Sequence, residues 1–237
     1  DWDIILREGK MTALNFMLHE DGAIIAMDTL SLLARNKKPF KFVSKMFLLP
    51  HMQCVICGTG NMVAIIDWFA FVQKNILSNG IYQLNELSKE VMPQFMKEHN
   101  EDNSCTIYQF GLHELDNKFH GFAYRSTNNF QSEEIQYGFG IKPPDAFKDE
   151  NDVIDFDTIS SLSTRPEEVL AAVMRIQKDY DDKLDIDRRL GIGGKIEMLY
   201  LSRDSMVMKN YDVFDDYDEI YGQMLEGLLQ LNSTAER

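Results

Sequence analysis

Hydrophobic and polar positions follow two rhythms along this chain, and the opening stretch carries the alternating one. Residues 12–19 are apolar-rich with partial alternation, Glu20-Asp21-Gly22 is a turn signal, and residues 23–27 are a short buried run ending in the polar Asp28-Thr29. Residues 40–49 and 52–57 pair around Pro50-His51, and the second run enters Gly58-Thr59-Gly60, where the backbone can turn sharply. The pattern predicts two hairpins, four antiparallel strands in all. The rhythm then changes. Over residues 61–76 the apolar side chains of Met62, Ile65, Ile66, Phe69, Val72 and Ile76 recur at a helical period, and Asn79-Gly80 ends the run. Residues 85–99 repeat it, with Leu87, Val91, Phe95 and Met96 inward and Pro93 expected to bend or briefly break the helix.

Strands return at 105–112, 119–125 and 134–139, separated by Asp116-Asn117-Lys118 and by the polar run 126–132. Pro143-Pro144 and the acidic residues 149–157 read as loop. Thr164 is a cap candidate for a helix with Pro166 in its first turn and an amphipathic continuation over 169–180. Gly191-Ile192-Gly193-Gly194 turns the chain into an alternating strand at 195–202, and residues 216–231 form a last acidic amphipathic helix. Two sheets packed face to face with helices outside each would bury every one of these apolar faces. The expected fold is therefore α+β, a four-layer α/β/β/α sandwich of two mainly antiparallel sheets, with residues 12–237 as one domain and residues 1–11 set apart.

Composition narrows the partners. The 237 residues are 44% hydrophobic, enough for a sizeable core. No run approaches a membrane span and no signal-peptide layout opens the chain, so a soluble cytoplasmic protein with no membrane partner is expected. A net charge of -14 repels phosphate backbones, and the only basic patch, residues 35–45, is short; nucleic acid is not an expected partner. Three cysteines make no disulfide framework, and Cys54 and Cys57, three apart on a strand, point to opposite faces and read as buried apolar residues instead of a zinc or redox half-site. His19, His51, His99, His113 and His120 have no close metal-ligand spacing, although His113 and His120 flank one hairpin and could face each other as a surface pair. The acidic runs 149–157 and 212–219 lack the Gly-centred spacing of a calcium loop, and the glycine run at 191–194 leads into a strand, unlike a phosphate loop. No cofactor and no metal are expected.

One constellation remains. Thr12 opens a strand, Gly22 follows ten residues on at the hairpin turn, and Asp28-Thr29 comes sixteen residues on, after a small-apolar run. Lys45 heads the third strand and Gly58 closes the fourth. This layout resembles the proteasome β-subunit and the bacterial ATP-dependent peptidase that is its simpler relative, both N-terminal-nucleophile hydrolases. The resemblance is close over residues 12 to about 68, and beyond that only the order of elements follows. It implies the sandwich fold and a threonine peptidase or amidohydrolase acting through an acyl-enzyme. Thr12 would be both nucleophile and, through its own α-amine, base; Lys45 would lower the amine pKa, Asp28 would keep Lys45 charged, and the Gly58 N–H would form the oxyanion site. The plain alternative is that Thr12 is a β-branched strand residue and that Asp28 and Lys45 are a partly buried ion pair holding strand ends together.

The chain also departs from the pattern. Phe139 stands where active members carry the Ser of a Gly-Ser-Gly strand end, and Arg189 and Ile192 stand where they carry an Asp and a Ser, with Asp187 nearby. Residues 1–11 precede Thr12 as a propeptide, an extra strand or an added leader; Met11 before a small Thr12 also has the look of a translation start, whose removal would free Thr12. The resemblance further implies a homo-oligomeric ring, a peptide or unfolded-protein substrate and an ATP-dependent unfoldase as a partner. The second expectation is a catalytically inactive subunit that keeps the sandwich to build a ring or hold a partner. With 15 Phe and 13 Met to bury in one domain, a homo-oligomer mating through the helices at 61–76 and 85–99 is expected.

Overall fold

The computed structural model describes residues 12–33, 36–99, 104–151 and 153–235, so the expectations for residues 1–11 lie outside the described residues. The first hairpin forms as its alternation predicts, β1 (Leu14–His19) turning through Glu20-Asp21 into β2 (Gly22–Asp28). The second is more divided. Residues 40–49 are not one strand: β3 (Leu30–Leu32) pairs with β4 (Pro39–Phe42), the chain leaves strand geometry at Val43-Ser44-Lys45, and β5 (Met46–Leu49) enters a different sheet. The break lies where the Val43 N–H turns back to the Thr29 carbonyl at 2.8 Å and the Lys45 side chain is drawn inward to Asp28. With β6 (Cys54–Gly60), six strands replace the expected four.

Asn61 caps α1 (Met62–Asn75), its side chain accepting the N–H groups of Val63 and Ala64. α2 (Ile81–His99) starts four residues before its periodicity does, because the Glu114 carboxylate, far along the chain, accepts the N–H groups of Tyr82 and Gln83 at 3.0 and 2.8 Å. Burial of Leu84, Met92 and Met96 carries this helix through Pro93 without a break. β7 (Cys105–Leu112) and β8 (Phe119–Arg125) have the expected bounds. The run 134–139 does not hold as one strand. β9 (Ser132–Glu134) pairs with β8, whereas β10 (Gly138–Lys142) pairs with β1 in the other sheet, and the crossing ends at Gly138, whose φ of +126° suits glycine.

A short helix, α3 (Phe156–Ser161), capped by Asp155, occupies part of the acidic segment expected as loop. α4 (Pro166–Asp181) has Arg165, not Thr164, at its cap position. Pro166 presets the first turn, and the Ser163 hydroxyl accepts the Arg165 N–H, so no Thr164 cap is needed. β11 (Lys195–Ser202) is followed by β12 (Ser205–Val213), an edge strand whose mixed polar pattern gave no alternation to read, and by α5 (Tyr217–Ala235).

Among the described residues all sheet pairings are antiparallel. One five-stranded sheet runs β10-β1-β2-β11-β12, another runs β5-β6-β7-β8-β9, and β3-β4 form a small third. Leu14, Phe16, Ile25 and Met27 of the first sheet share a core with Val55, Cys57, Tyr108 and Phe110 of the second. On the second sheet's other face, Ile65, Trp68 and Val72 of α1 and Met92 and Met96 of α2 pack over Cys54, Ile56 and Ile107. On the first sheet's other face, Leu170, Ala171 and Met174 of α4 pack over Ala26 and Met198. β6 thus feeds two cores in strict alternation, which places Cys54 and Cys57 on opposite faces as their spacing predicts. Burial pushes both thiols well above the ordinary cysteine range. Cys54, Cys57 and Cys105 are all buried, and none is in a disulfide. Among the described residues no helix is long and apolar enough to cross a membrane.

Candidate functional site

Where β2 ends, the two sheets and the segment before β11 converge on one carboxylate. Asp28 and Lys45 are 0% and 1% exposed, and Lys45 Nζ donates to Asp28 Oδ1 at 3.0 Å and to the Leu30 carbonyl at 2.7 Å. Asp28 Oδ1 also accepts the Ala13 N–H at 3.0 Å, and Oδ2 accepts the N–H groups of Leu30 and Gly193 at 3.2 and 3.3 Å. Removing an ion pair from water costs several kcal/mol per ion unless the remaining hydrogen-bonding positions are filled; here four donors reach the carboxylate. Burial raises the Asp28 carboxyl above its ordinary value, opposed by the Lys45 ammonium and by the N–H groups of Ala13 and Gly193. The pair ties together the residue after Thr12, the end of β2, the break before β5 and the loop before β11.

Thr12 itself precedes β1, is 5% exposed and lines an open cleft of about 350 Å³. The cleft is rich in hydroxyls: Thr59 at the end of β6, Thr106 on β7, and Ser126 and Thr127 after β8 share it with Gly60 and with Lys142-Pro143 at the end of β10. Gly58 lies one residue from that lining. A Cβ at 58 would fall 2.6 Å from the Thr106 carbonyl oxygen and 2.8 Å from the Ile65 side chain, so close packing of β6 against β7 and α1 by itself requires glycine there. Lys142 is a cation of the cleft that sequence reasoning missed. It arrives because β10 pairs with β1, Leu14 opposite Lys142, and burial lowers its ammonium below the ordinary value, as does nearby Arg125.

The loop before β11 is held from two sides. Asp181, 2% exposed at the end of α4, accepts the N–H groups of Leu190, Gly191 and Ile192 at 2.6, 2.7 and 3.4 Å. On the other side the Gly193 carbonyl accepts the N–H groups of Thr29 and Leu30, and Thr29 Oγ1 accepts that of Lys195. Gly194, at φ +81°, allows this, since a Cβ there would lie 2.4 Å from Thr29 Oγ1. Asp187, near the position that resemblance singles out, is exposed, and Arg189 donates to the carbonyls of Leu184 and Asp182 beyond α4. Phe139 is 38% exposed on β10. Asn15 and Gln177, both buried, join β1 to α4 at 2.7 Å, and Gln177 donates to the Pro143 carbonyl beside the cleft. Neither Asp181 nor Gln177 carries a local signal beyond its helical position. Away from the cleft, the turn between β7 and β8 brings His113, Asp116 and His120 within 4.8 Å of one another.

No family model matches the sequence, and no curated protein matches it. Solved structures do match, 515 chains of them. One is the Anbu (Gly-1) mutant from Hyphomicrobium sp. strain MC1, at 14% identity and a TM-score of 0.57, covering 95% of this chain and 100% of that chain. Anbu is a bacterial proteasome-related, N-terminal-nucleophile-hydrolase-like protein. At this identity the likeness is one of fold: mixed α/β with antiparallel sheets.

Proposed function

We propose that this chain is a single-domain, proteasome-like threonine peptidase or amidohydrolase with a four-layer α/β/β/α sandwich, and that Thr12 is its nucleophile when its α-amine is free. The observation that carries the reading is the fully buried Lys45–Asp28 pair, whose carboxylate also holds the N–H of Ala13, the residue next to Thr12. In this reading the amine of Thr12 takes the hydroxyl proton as Oγ1 adds to the substrate carbonyl carbon. The C–N bond then breaks, the leaving amine takes the proton, and water hydrolyses the resulting ester to regenerate Thr12. The Lys45 ammonium favours the neutral amine and offsets developing negative charge, and Asp28 keeps it charged and oriented. The Gly58 N–H is the proposed oxyanion donor. Peptides or unfolded protein are the proposed substrates, and an ATP-dependent unfoldase is the proposed partner of a homo-oligomeric ring.

A second reading, a catalytically inactive structural subunit, draws on a different observation. Among the described residues every bond of the Lys45–Asp28 pair goes to the scaffold, including the one from Lys45 to the Leu30 carbonyl, so the pair accounts for itself as a lock on strand ends. The test uses protein beginning at Thr12. The enzyme reading expects hydrolysis of a short fluorogenic peptide and a mass increase at Thr12 after reaction with a threonine-directed electrophile. Thr12→Ala abolishes both; Lys45→Ala does the same, with circular dichroism reporting that the variant is folded. A folded, trimmed protein that neither cleaves nor labels leaves the structural subunit as the function.

A further inference from the structure

We infer that the turn between β7 and β8 is a binding site for one divalent transition-metal ion, zinc by the chemistry of its donors, with His113, Asp116 and His120 as ligands and Glu134 orienting His120. The turn is internally fixed: the His113 N–H donates to the Lys118 carbonyl at 2.7 Å, the Asn117 N–H to the His113 carbonyl at 2.9 Å, and the Lys118 N–H to Asp116 Oδ1 at 3.0 Å. From this frame His113 Nδ1 stands 3.3 Å from Asp116 Oδ1, and His120 Nε2 stands 3.0 Å from Asp116 Oδ2. Donors on adjacent corners of a tetrahedral ion, at bonds of roughly 2.0–2.2 Å, are about 3.3 Å apart; the imidazole nitrogens meet the two oxygens of Asp116 at about that spacing and the three ligand atoms lie within 4.8 Å of one another, so small side-chain rotations bring them onto one cation. The two imidazole rings lie 4.6 Å apart between centroids.

Two further observations single out this group from an ordinary surface cluster. Among the described residues the buried His113 Nδ1 makes no hydrogen bond, and its one ion-pair contact is the 3.3 Å approach to Asp116, so it faces the other donors. His120 Nδ1 is 2.8 Å from Glu134 Oε1 on β9, and a carboxylate accepting from Nδ1–H leaves the Nε2 lone pair directed at the metal position. Two imidazole nitrogens and one carboxylate oxygen select zinc, cobalt or nickel over calcium and magnesium, which take oxygen ligands. Three protein ligands leave a fourth coordination position for water. The imidazoles are mostly buried at 14% and 17% exposure while Asp116 is 42% exposed, so an ion can enter from solvent.

The test is metal titration of the chelator-stripped full chain. Zinc binds at one equivalent by calorimetry and raises Tm, and cobalt gives the intense visible absorption of a four-coordinate site. His113→Gln and His120→Gln each abolish saturable binding, and Glu134→Gln weakens it about 10- to 100-fold, as loss of a residue orienting a metal ligand does. Asp116→Asn keeps an acceptor for the Lys118 N–H while losing the anionic ligand, so loss of binding there with unchanged circular dichroism separates ligation from folding. No saturable zinc binding at micromolar concentration, or one-equivalent binding that survives both histidine variants, overturns the inference.

Discussion

Asp28 is tolerated in the core because an ammonium and three N–H groups meet it, and taking away one partner is therefore worse than taking away both. Lys45→Met leaves the buried carboxylate its three N–H donors but no countercharge and is expected to cost about 3–5 kcal/mol. Pairing it with Asp28→Leu removes the unmet charge and recovers a large part of that loss. Urea denaturation of the single and double variants checks this; a double variant as unstable as Lys45→Met would show that volume and not charge is decisive at this position. At the same scale, the glycines near the site answer to packing. Gly140 lies across from Phe16, whose ring would be 2.0 Å from a Cβ there, and Gly194 answers to Thr29.

At the scale of elements, α4 fastens the C-terminal part of the chain to the first sheet. Arg175 reaches Asp212 on β12 at 2.5 Å, and Lys178, 11% exposed, reaches Asp182 at 2.9 Å and Asp216, just before α5, at 2.7 Å. Burial disfavours the Lys178 ammonium, but its bonds to Asp216 and Asp182 outweigh this and hold it above its ordinary 10.5. A lysine whose pKa is higher in the folded state binds its proton more tightly there, so its stabilisation is fully present below the unfolded value and is lost as pH rises through the folded one. Lys178→Met is therefore expected to destabilise the protein at pH about 8 and to cost progressively less as pH rises above that ordinary value of 10.5. Comparing the denaturation midpoints of wild type and variant across that range isolates Lys178 from the other groups that titrate there.

At the scale of the molecule, the aromatic and methionine residues of α1 and α2 mostly turn inward. Trp68 is fully buried, its ring 5.5 Å from those of Phe71 and Phe95, and Met92 and Met96 are buried beside them. Apolar surface is left over at several places, among them the α1–α2 corner, where Leu77 is 92% exposed beside Tyr82 and a groove of about 490 Å³, and edge strand β12 at Val207, Met208 and Val213. If the chain assembles through the helices, Leu77→Asp lowers its mass by light scattering at micromolar concentration while circular dichroism stays unchanged. An unchanged mass for Leu77→Asp with a lowered one for Val207→Lys would move the interface to the edge strand.

What the sequence alone determined is local. The first hairpin, α1, β7, β8 and β11 follow from periods read within a few residues, and so does the placement of Cys54 and Cys57 on opposite faces of β6, because side-chain direction is a property of the backbone repeat. Tertiary structure decided wherever the partner is distant. Lys45 breaks the run 40–49 because Asp28 draws it inward, and residues 134–139 divide because their two ends pair with different sheets. α2 begins at Ile81 because Glu114 crosses from the β7–β8 turn, and Asp181 reaches a loop nine residues ahead of it. The grouping of His113 and His120 depends likewise on the β7–β8 register and on Glu134 arriving from β9. A hydrogen bond or ion pair between distant segments costs chain entropy that only the packed core offsets, so its partners are chosen after the cores have formed and leave no period in the sequence.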